Sequence, residues 1–208
     1  MYWNDQMYEK LYSNEYKVIA GCDEVGRGCI AGELVTACVI LPTGYVDDNI
    51  KDSKVTSHKK REKLYEQIMR DAIEIAIDVR SLDELNSSNP KAQSRIGMAN
   101  CIKKLKHQPD LVLTDFEPIE TNIKQLNLVK GETKSISIAA ASIIAKVVRD
   151  NMLDEYAKIY PEYGFEKHKG YFTKLHKTAL EIYGVTPIHR LKYKPVVEQL
   201  HKDKMSKG

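Results

Sequence analysis

One stretch limits this chain more than any other: residues 136–148 are apolar nearly all round a helical turn. Such a helix has no face to offer to water and must lie buried in a core. It is too short and too polar to cross a bilayer, because it carries Lys146, Ser137 and Ser142, and no apolar run in the chain reaches the ~18 residues of a span. Helical spacing continues to residue 159, so a long central helix is expected over 136–159, and its small residues point to close packing.

Around it the sequence reads as short strands and amphipathic helices. Residues 18–22 form a brief apolar run that ends at Asp23-Glu24 and is stopped by Gly26-Arg27-Gly28. Residues 34–41 are rich in Val, Ile and Thr and end at Pro42, a second strand. Residues 72–79 alternate, with Ile73, Ile75 and Ile77 against Glu74, Ala76 and Asp78, the period of a third strand with one face buried. Residues 111–114 and 127–129 read as a fourth and a fifth. Helices are expected over residues 2–12, over 57–70 with Ser57 as N-cap, near 83–86, from Pro90 to about residue 106, near 173–183 and near 195–202. Strands joined by short connections, then strands alternating with helices, make an α/β chain with a mixed five-stranded sheet flanked by helices. A length of 208 residues suits one domain with an appendage, here 1–160 and a helical C-terminal extension, 161–208.

The net charge of +3 hides an asymmetry: residues 1–120 hold 16 Lys and Arg against 20 Asp and Glu, and residues 121–208 hold 16 against 9. An acidic front suits cations and a basic back suits an anion, unless the basic residues are merely solvated helix faces. The basic tail is interleaved with Phe165, Tyr171, Phe172 and Tyr193, a pattern that suits phosphates and stacking, although some of these rings must be packing residues. The four cysteines, Cys22, Cys29, Cys38 and Cys101, contain no C-x-x-C pair, so neither a disulfide framework nor a zinc site is expected. The start of the chain has no basic-then-apolar leader, and a reducing cytoplasm is the default expectation.

Two phosphate-binding patterns fail on inspection. Gly26-x-Gly28-x-x-Ala31 fits a dinucleotide fingerprint literally, but a strand rather than a helix follows it. The segment Lys130-Gly131-Glu132-Thr133-Lys134-Ser135 lacks the first glycine of a P-loop. The carboxylates are more informative. Asp23 and Glu24 close one apolar strand, Asp115 closes another, and Glu132 follows a third. Acids at several strand ends converge readily on one sheet edge, and an oxygen-only set suits Mg²⁺ or Mn²⁺. Strand neighbours face opposite ways, so Asp23 and Glu24 share a site only if the strand breaks between them, which Gly26 and Gly28 would permit. His58, His107 and His201 have no ligand partner nearby in sequence and receive no role.

Taken together, these segments resemble the ribonuclease HII family. Ile19-Ala20-Gly21-Cys22-Asp23-Glu24-Val25-Gly26-Arg27-Gly28 is similar to its first signature, Asp52-Ser53-Lys54 to its D-S-K motif, and Asn86 to its asparagine. Lys130-Gly131-Glu132 with the helix through Asp150, then Tyr163-Gly164-Phe165-Glu166-Lys167-His168-Lys169-Gly170-Tyr171 and Pro187-Ile188-His189-Arg190, follow in the family's order. The resemblance runs over residues 18–200. It implies an RNase H-like fold and an endonuclease that cuts RNA in RNA–DNA hybrids and incises beside single ribonucleotides in duplex DNA, leaving 3′-hydroxyl and 5′-phosphate ends. It also implies that Asp23, Glu24, Asp115 and Glu132 carry two divalent ions, Mg²⁺ or Mn²⁺, one helping to form hydroxide and one stabilising the departing oxygen. By the same resemblance Gly26, Arg27 and Gly28 read the ribose 2′-hydroxyl, Tyr171 stacks on the next deoxyribose, and Ser53, Lys54 and Asn86 hold the backbone.

Cys29, Glu33, Phe116, Glu117 and Glu132 depart from the family's usual residues; Glu117 adds an acid near Asp115, and the longer Glu132 shifts its carboxylate outward. The short lead before the first strand favours this family over its sister, ribonuclease HIII. The expected partners are RNA–DNA hybrid and ribonucleotide-containing DNA, with no membrane, for a monomer. Two alternatives stay open: a catalytically impaired hybrid-binding protein of the same fold, and a nuclease of that fold without ribonucleotide selectivity.

Overall fold

The computed structural model describes residues 7–50 and 57–205. Its chain forms two compact units. The first takes the chain up to Val25, Val35–Val79 and Ser94–Val147; the second takes Gly26–Leu34, Arg80–Gln93 and the chain from Val148 on.

The first unit is built on a five-stranded sheet in the order β3-β2-β1-β4-β5, with β1 Ile19–Val25, β2 Leu34–Ile40, β3 Glu74–Arg80, β4 Leu111–Asp115 and β5 Lys124–Leu128. β1 runs antiparallel to β2 and parallel to β4, and β4 runs parallel to β5, so the sheet is mixed as expected. Alternation along β1 and β4 sends side chains to two cores. Ala20, Cys22 and Val112 join Met98, Cys101 and Ile102 of helix α4 (Pro90–Lys104). Ile19, Leu111 and Leu113 join Ile138 of helix α5 (Ile136–Ile159), with Tyr8 and Tyr12 of helix α1 (Tyr8–Tyr12) at the margin. The expected central helix is therefore present, and every residue from 136 to 145 is buried. Its backbone comes so close to β1 that a Cβ on Gly21 would stand 2.2 Å from the Ser137 carbonyl carbon. Only glycine fits there. Helix α2 (His58–Asp71) starts at Ser57, whose hydroxyl accepts from the Lys60 N–H.

The structure corrects several expectations. Cys22 lies directly opposite Cys38 in the β1–β2 register, and the two form a disulfide with sulfurs 2.02 Å apart. A spacing rule for motifs could not see partners that only strand pairing brings together. Cys29 and Cys101 are free and buried. In β3 the buried residues are Ala76 and Asp78, while Ile73 and Val79 are exposed. Asp78 faces inward because Lys104 Nζ, 2.6 Å away, and the Asn100 amide reach its carboxylate. β5 also starts three residues before the expected 127.

The second unit packs the last part of α5 with short helices α3 (Leu82–Ser87), α6 (Phe165–His168), α7 (Lys174–Tyr183) and α8 (Lys194–Met205). Helix α6 was not anticipated. Its core joins Ala31, Leu153, Tyr163, Phe165, Ala179 and Ile188, and a smaller cluster joins Ile30, Leu180 and Val196. No helix of the described residues is long and apolar enough to cross a membrane.

Candidate active site

In the first unit the carboxylates gather at the ends of β1 and β4. The parallel register sets Cys22 beside Thr114, so Asp23 and Asp115 each come next on neighbouring strands. Asp23 is buried, accepts the Glu24 N–H at 2.7 Å and also bonds Ser142 of α5. Burial, then the charges of Glu24 and Asp115, push its pKa well above the carboxylate range despite those hydrogen bonds. The expected strand break does not occur: β1 continues through Val25, and the Glu24 carboxylate nevertheless lies near enough for its charge to act on Asp23.

Asp115 is joined to Glu132 through the backbone. Its Oδ1 accepts the Gly131 N–H at 2.7 Å, and Gly131–Thr133 is a single 3-10 turn entered through Lys130 in the left-handed region, φ 55°. Glu132 is buried in that turn. Glu117 is also buried, at 1% exposure, whereas Phe116 between the two acids stands 54% exposed with φ 63°. A buried carboxylate crowded by like charges, as Asp23 is, is relieved by a cation, and all-oxygen donors fit a hard divalent ion. Among the described residues no group of three or more His, Cys, Asp or Glu forms a ready-made cage.

In the second unit the loop after β1 is held by two buried guanidinium groups. Arg149 donates to the carbonyls of Glu33, Lys169 and Ala31 at 2.8–2.9 Å. Arg190 donates to those of Gly32, Gly26 and Glu33 at 2.8, 2.7 and 3.1 Å. Both are almost wholly buried, and burial with the nearby Arg149 charge lowers the Arg190 pKa. The cations are thus held by neutral backbone carbonyls, which fix the path of the loop. Gly26 has φ 105°, and a Cβ there would stand 2.3 Å from Arg149 Nε, so the fold itself demands glycine. Gly28 is exposed, and the nearest atom to a Cβ there is a Tyr171 ring carbon at 4.0 Å. Gly28 and Tyr171 thus present adjoining surface, and burial raises the Tyr171 pKa to about 12. The Asn86 side-chain carbonyl accepts the Leu191 N–H at 2.8 Å, and Arg27 is half-buried, with its carbonyl accepting from the Tyr193 hydroxyl. Ser53 and Lys54 lie outside the described residues.

Several residues of the basic tail are internal. Tyr163, Phe165, His168, His176 and His189 are buried, and the histidines form a chain of neutral rings. The Thr186 N–H donates to His189 Nδ1 at 3.0 Å, so His189 Nε2 carries the proton that His176 Nε2 accepts, also at 3.0 Å. His176 Nδ1 then donates to the Tyr171 carbonyl at 3.0 Å. Ser142, Arg149, Arg190 and these histidines had no assigned role from sequence. Their only signal was membership of motif segments, because their contacts are made over long separations.

A family model described as ribonuclease HII matches residues 20–196. Ribonuclease HII of Lactobacillus johnsonii is 44% identical over 191 residues, spanning 92% of this chain and 76% of that protein. Among solved structures, ribonuclease H2 from Pyrococcus horikoshii gives a TM-score of 0.78 at 21% identity, over 90% of this chain and 99% of that one. Bst-RNase HIII in complex with Mn²⁺ gives 0.68 at 16% identity, over 96% and 75%. The two structures establish the fold, and the sequence matches establish the lineage: the chain belongs to the ribonuclease HII family of endoribonuclease hydrolases.

Proposed function

We propose that this ribonuclease hydrolyses RNA in RNA–DNA hybrids and incises 5′ of single ribonucleotides in duplex DNA, leaving 3′-hydroxyl and 5′-phosphate ends. The observation that carries this reading is the crowding of Asp23 by Glu24 and Asp115 in a buried site. Asp23, Glu24, Asp115 and Glu132 would hold two divalent ions, Mg²⁺ or Mn²⁺. When bound, such ions supply Lewis acidity and an activated water for in-line displacement at phosphorus. The manganese complex of the ribonuclease HIII relative agrees with such a requirement.

The chain's own residues position the scissile strand. Asp115 and Glu132, coupled through the Gly131 N–H, keep their carboxylates in a fixed relation while charge develops. Gly28 leaves room for close backbone approach to a ribose 2′-hydroxyl, the group that separates RNA from DNA. Gly26 and Arg27 shape that loop, and the exposed part of Tyr171 packs on the following sugar. Ser53, Lys54 and Asn86 hold the backbone. Catalysis falls to residues 1–160, and 161–208 extends the grip on the substrate. The enzyme works as a monomer.

The test is a DNA duplex containing one ribonucleotide, together with an RNA–DNA hybrid and an all-DNA control, each with Mg²⁺ or Mn²⁺. Incision at the ribonucleotide, lost in Asp23→Asn and Asp115→Asn, is the expected result. Tight, salt-sensitive binding without incision would favour the impaired hybrid binder. Equal cutting of all-DNA duplex would favour a nuclease without ribonucleotide selectivity.

A further inference from the structure

We infer that Phe116 is a specificity-determining contact of this enzyme, its ring packing on the sugar of a nucleotide that flanks the scissile phosphate. The inference rests on the hybrid-cutting reading above and adds a residue to it. Phe116 follows Asp115 directly and has φ 63°, a conformation that L side chains rarely adopt and that is an outlier for a bulky residue. The Glu117 N–H donates to the Asp115 carbonyl at 2.7 Å, so Phe116 is the central residue of a three-residue turn of the rarer, positive-φ hand. Among the described residues the other non-glycine positions with positive φ are both lysines, Lys130 and Lys169.

This geometry does not serve the core. The ring is 54% exposed, while Leu113 and Thr114 just before it are fully buried and Glu117 after it is 1% exposed. Nor is the turn loose. The Phe116 N–H donates to the Leu128 carbonyl at 3.0 Å, and Asp115 is pinned by the Gly131 N–H at 2.7 Å. A strained backbone therefore holds an apolar ring in solvent, one residue from Asp115, a carboxylate proposed to hold the divalent ions. Strain kept at such a place points to function. A hybrid duplex offers a wide, shallow minor groove with its sugars displayed, and an aromatic face packs on that surface without needing a particular base.

The experiment compares the full-length enzyme with Phe116→Gly, Phe116→Leu and Phe116→Trp. Hybrid binding is measured by fluorescence anisotropy over a salt series in chelator, together with thermal unfolding. Phe116→Gly should melt roughly 3 °C higher, because glycine adopts this φ freely, and bind hybrid about tenfold more weakly. The slope of affinity against salt should not change, since no phosphate contact is lost. Phe116→Leu keeps the strain and loses the ring, so it should bind as weakly without the thermal gain; Phe116→Trp should bind like the parent. Undiminished binding by the glycine and leucine variants, or a changed salt slope, overturns the inference. A parent enzyme that neither binds nor cuts hybrid overturns the underlying reading instead, so the two failures are distinguishable.

Discussion

Lowering the pH should loosen the second unit through its buried histidines, and the size of the effect follows from their surroundings. Burial, with the neighbouring His168 adding to it, pushes His176 down to about 3 and His189 to about 4. Both rings titrate near 6.5 once the chain unfolds. Above that value both states are neutral and the histidines contribute no pH dependence. As the pH falls below 6.5 the unfolded chain takes up protons that the native chain refuses, so stability is lost progressively until the native pKa values are reached. Each histidine contributes up to about 1.4 kcal/mol per pH unit. At pH 5 the pair removes about 4 kcal/mol, a large part of the ~5–15 kcal/mol of a typical domain. The geometry explains the refusal. A proton on His189 Nδ1 would face the Thr186 N–H, and one on His176 Nε2 would face the His189 proton. Urea unfolding at pH 7 and pH 5 measures the effect. The paired replacement His176→Phe with His189→Leu controls for carboxylate titration: it lowers stability at pH 7 but should flatten the change between the two pH values. A parent protein that loses less than about 1 kcal/mol, or a double variant that loses as much as the parent, would refute the reasoning.

Other perturbations test the remaining parts. Asp23→Asn removes the charge that Glu24 and Asp115 repel; it should raise stability by roughly 1 kcal/mol near neutral pH while lowering cleavage on the order of 100-fold, read by urea unfolding and the single-ribonucleotide duplex. The sign follows from the raised pKa: ionised Asp23 destabilises the native state as the pH rises, and asparagine cannot ionise. Arg190→Lys replaces a fork that reaches four carbonyls with a point charge, and should cost about 3 kcal/mol in thermal or urea unfolding. Reduction of the Cys22–Cys38 bond, which closes a loop of sequence separation 16, should lower stability by about 3 kcal/mol; alkylation before reduction should label only Cys29 and Cys101, and only after unfolding.

The fold was legible wherever burial alone decides structure. Residues 111–114 and 136–159 have side chains that tolerate little except a covered strand and a covered helix, and β4 and α5 are where they were expected. It was less legible where a neighbour decides. β5 contains Lys124, Gln125 and Asn127 and is a strand because β4 supplies its ladder, so its own side chains do not announce it. The inverted face of β3 depends on Lys104 and Asn100, and the disulfide depends on a register. The candidate site follows the same division. Acids at strand ends could be read one by one, but the Ser142 bond to Asp23 and the Arg149 and Arg190 bonds to the loop arise only when distant segments meet.

The strained backbone positions lie next to residues proposed for the site. Among the described residues, the non-glycine positions of positive φ are Phe116, Lys130 and Lys169. Phe116 adjoins Asp115, Lys130 precedes Glu132 by two residues, and Lys169 precedes Tyr171 by two. Each is tied by a hydrogen bond to a neighbouring segment or turn. The Leu128 carbonyl takes the Phe116 N–H, and the Lys130 carbonyl takes the Thr133 hydroxyl. The Lys169 carbonyl takes Arg149 Nη1. Unfavourable backbone conformations persist only where surrounding structure over-determines them, and they gather where orientation matters more than local comfort. Three such positions scattered for packing reasons would have no cause to fall beside three separately proposed site residues. Relaxing the turn at Phe116 or Lys130 should therefore disturb Asp115 or Glu132, and relaxing the turn at Lys169 should disturb Tyr171, before either disturbs the fold.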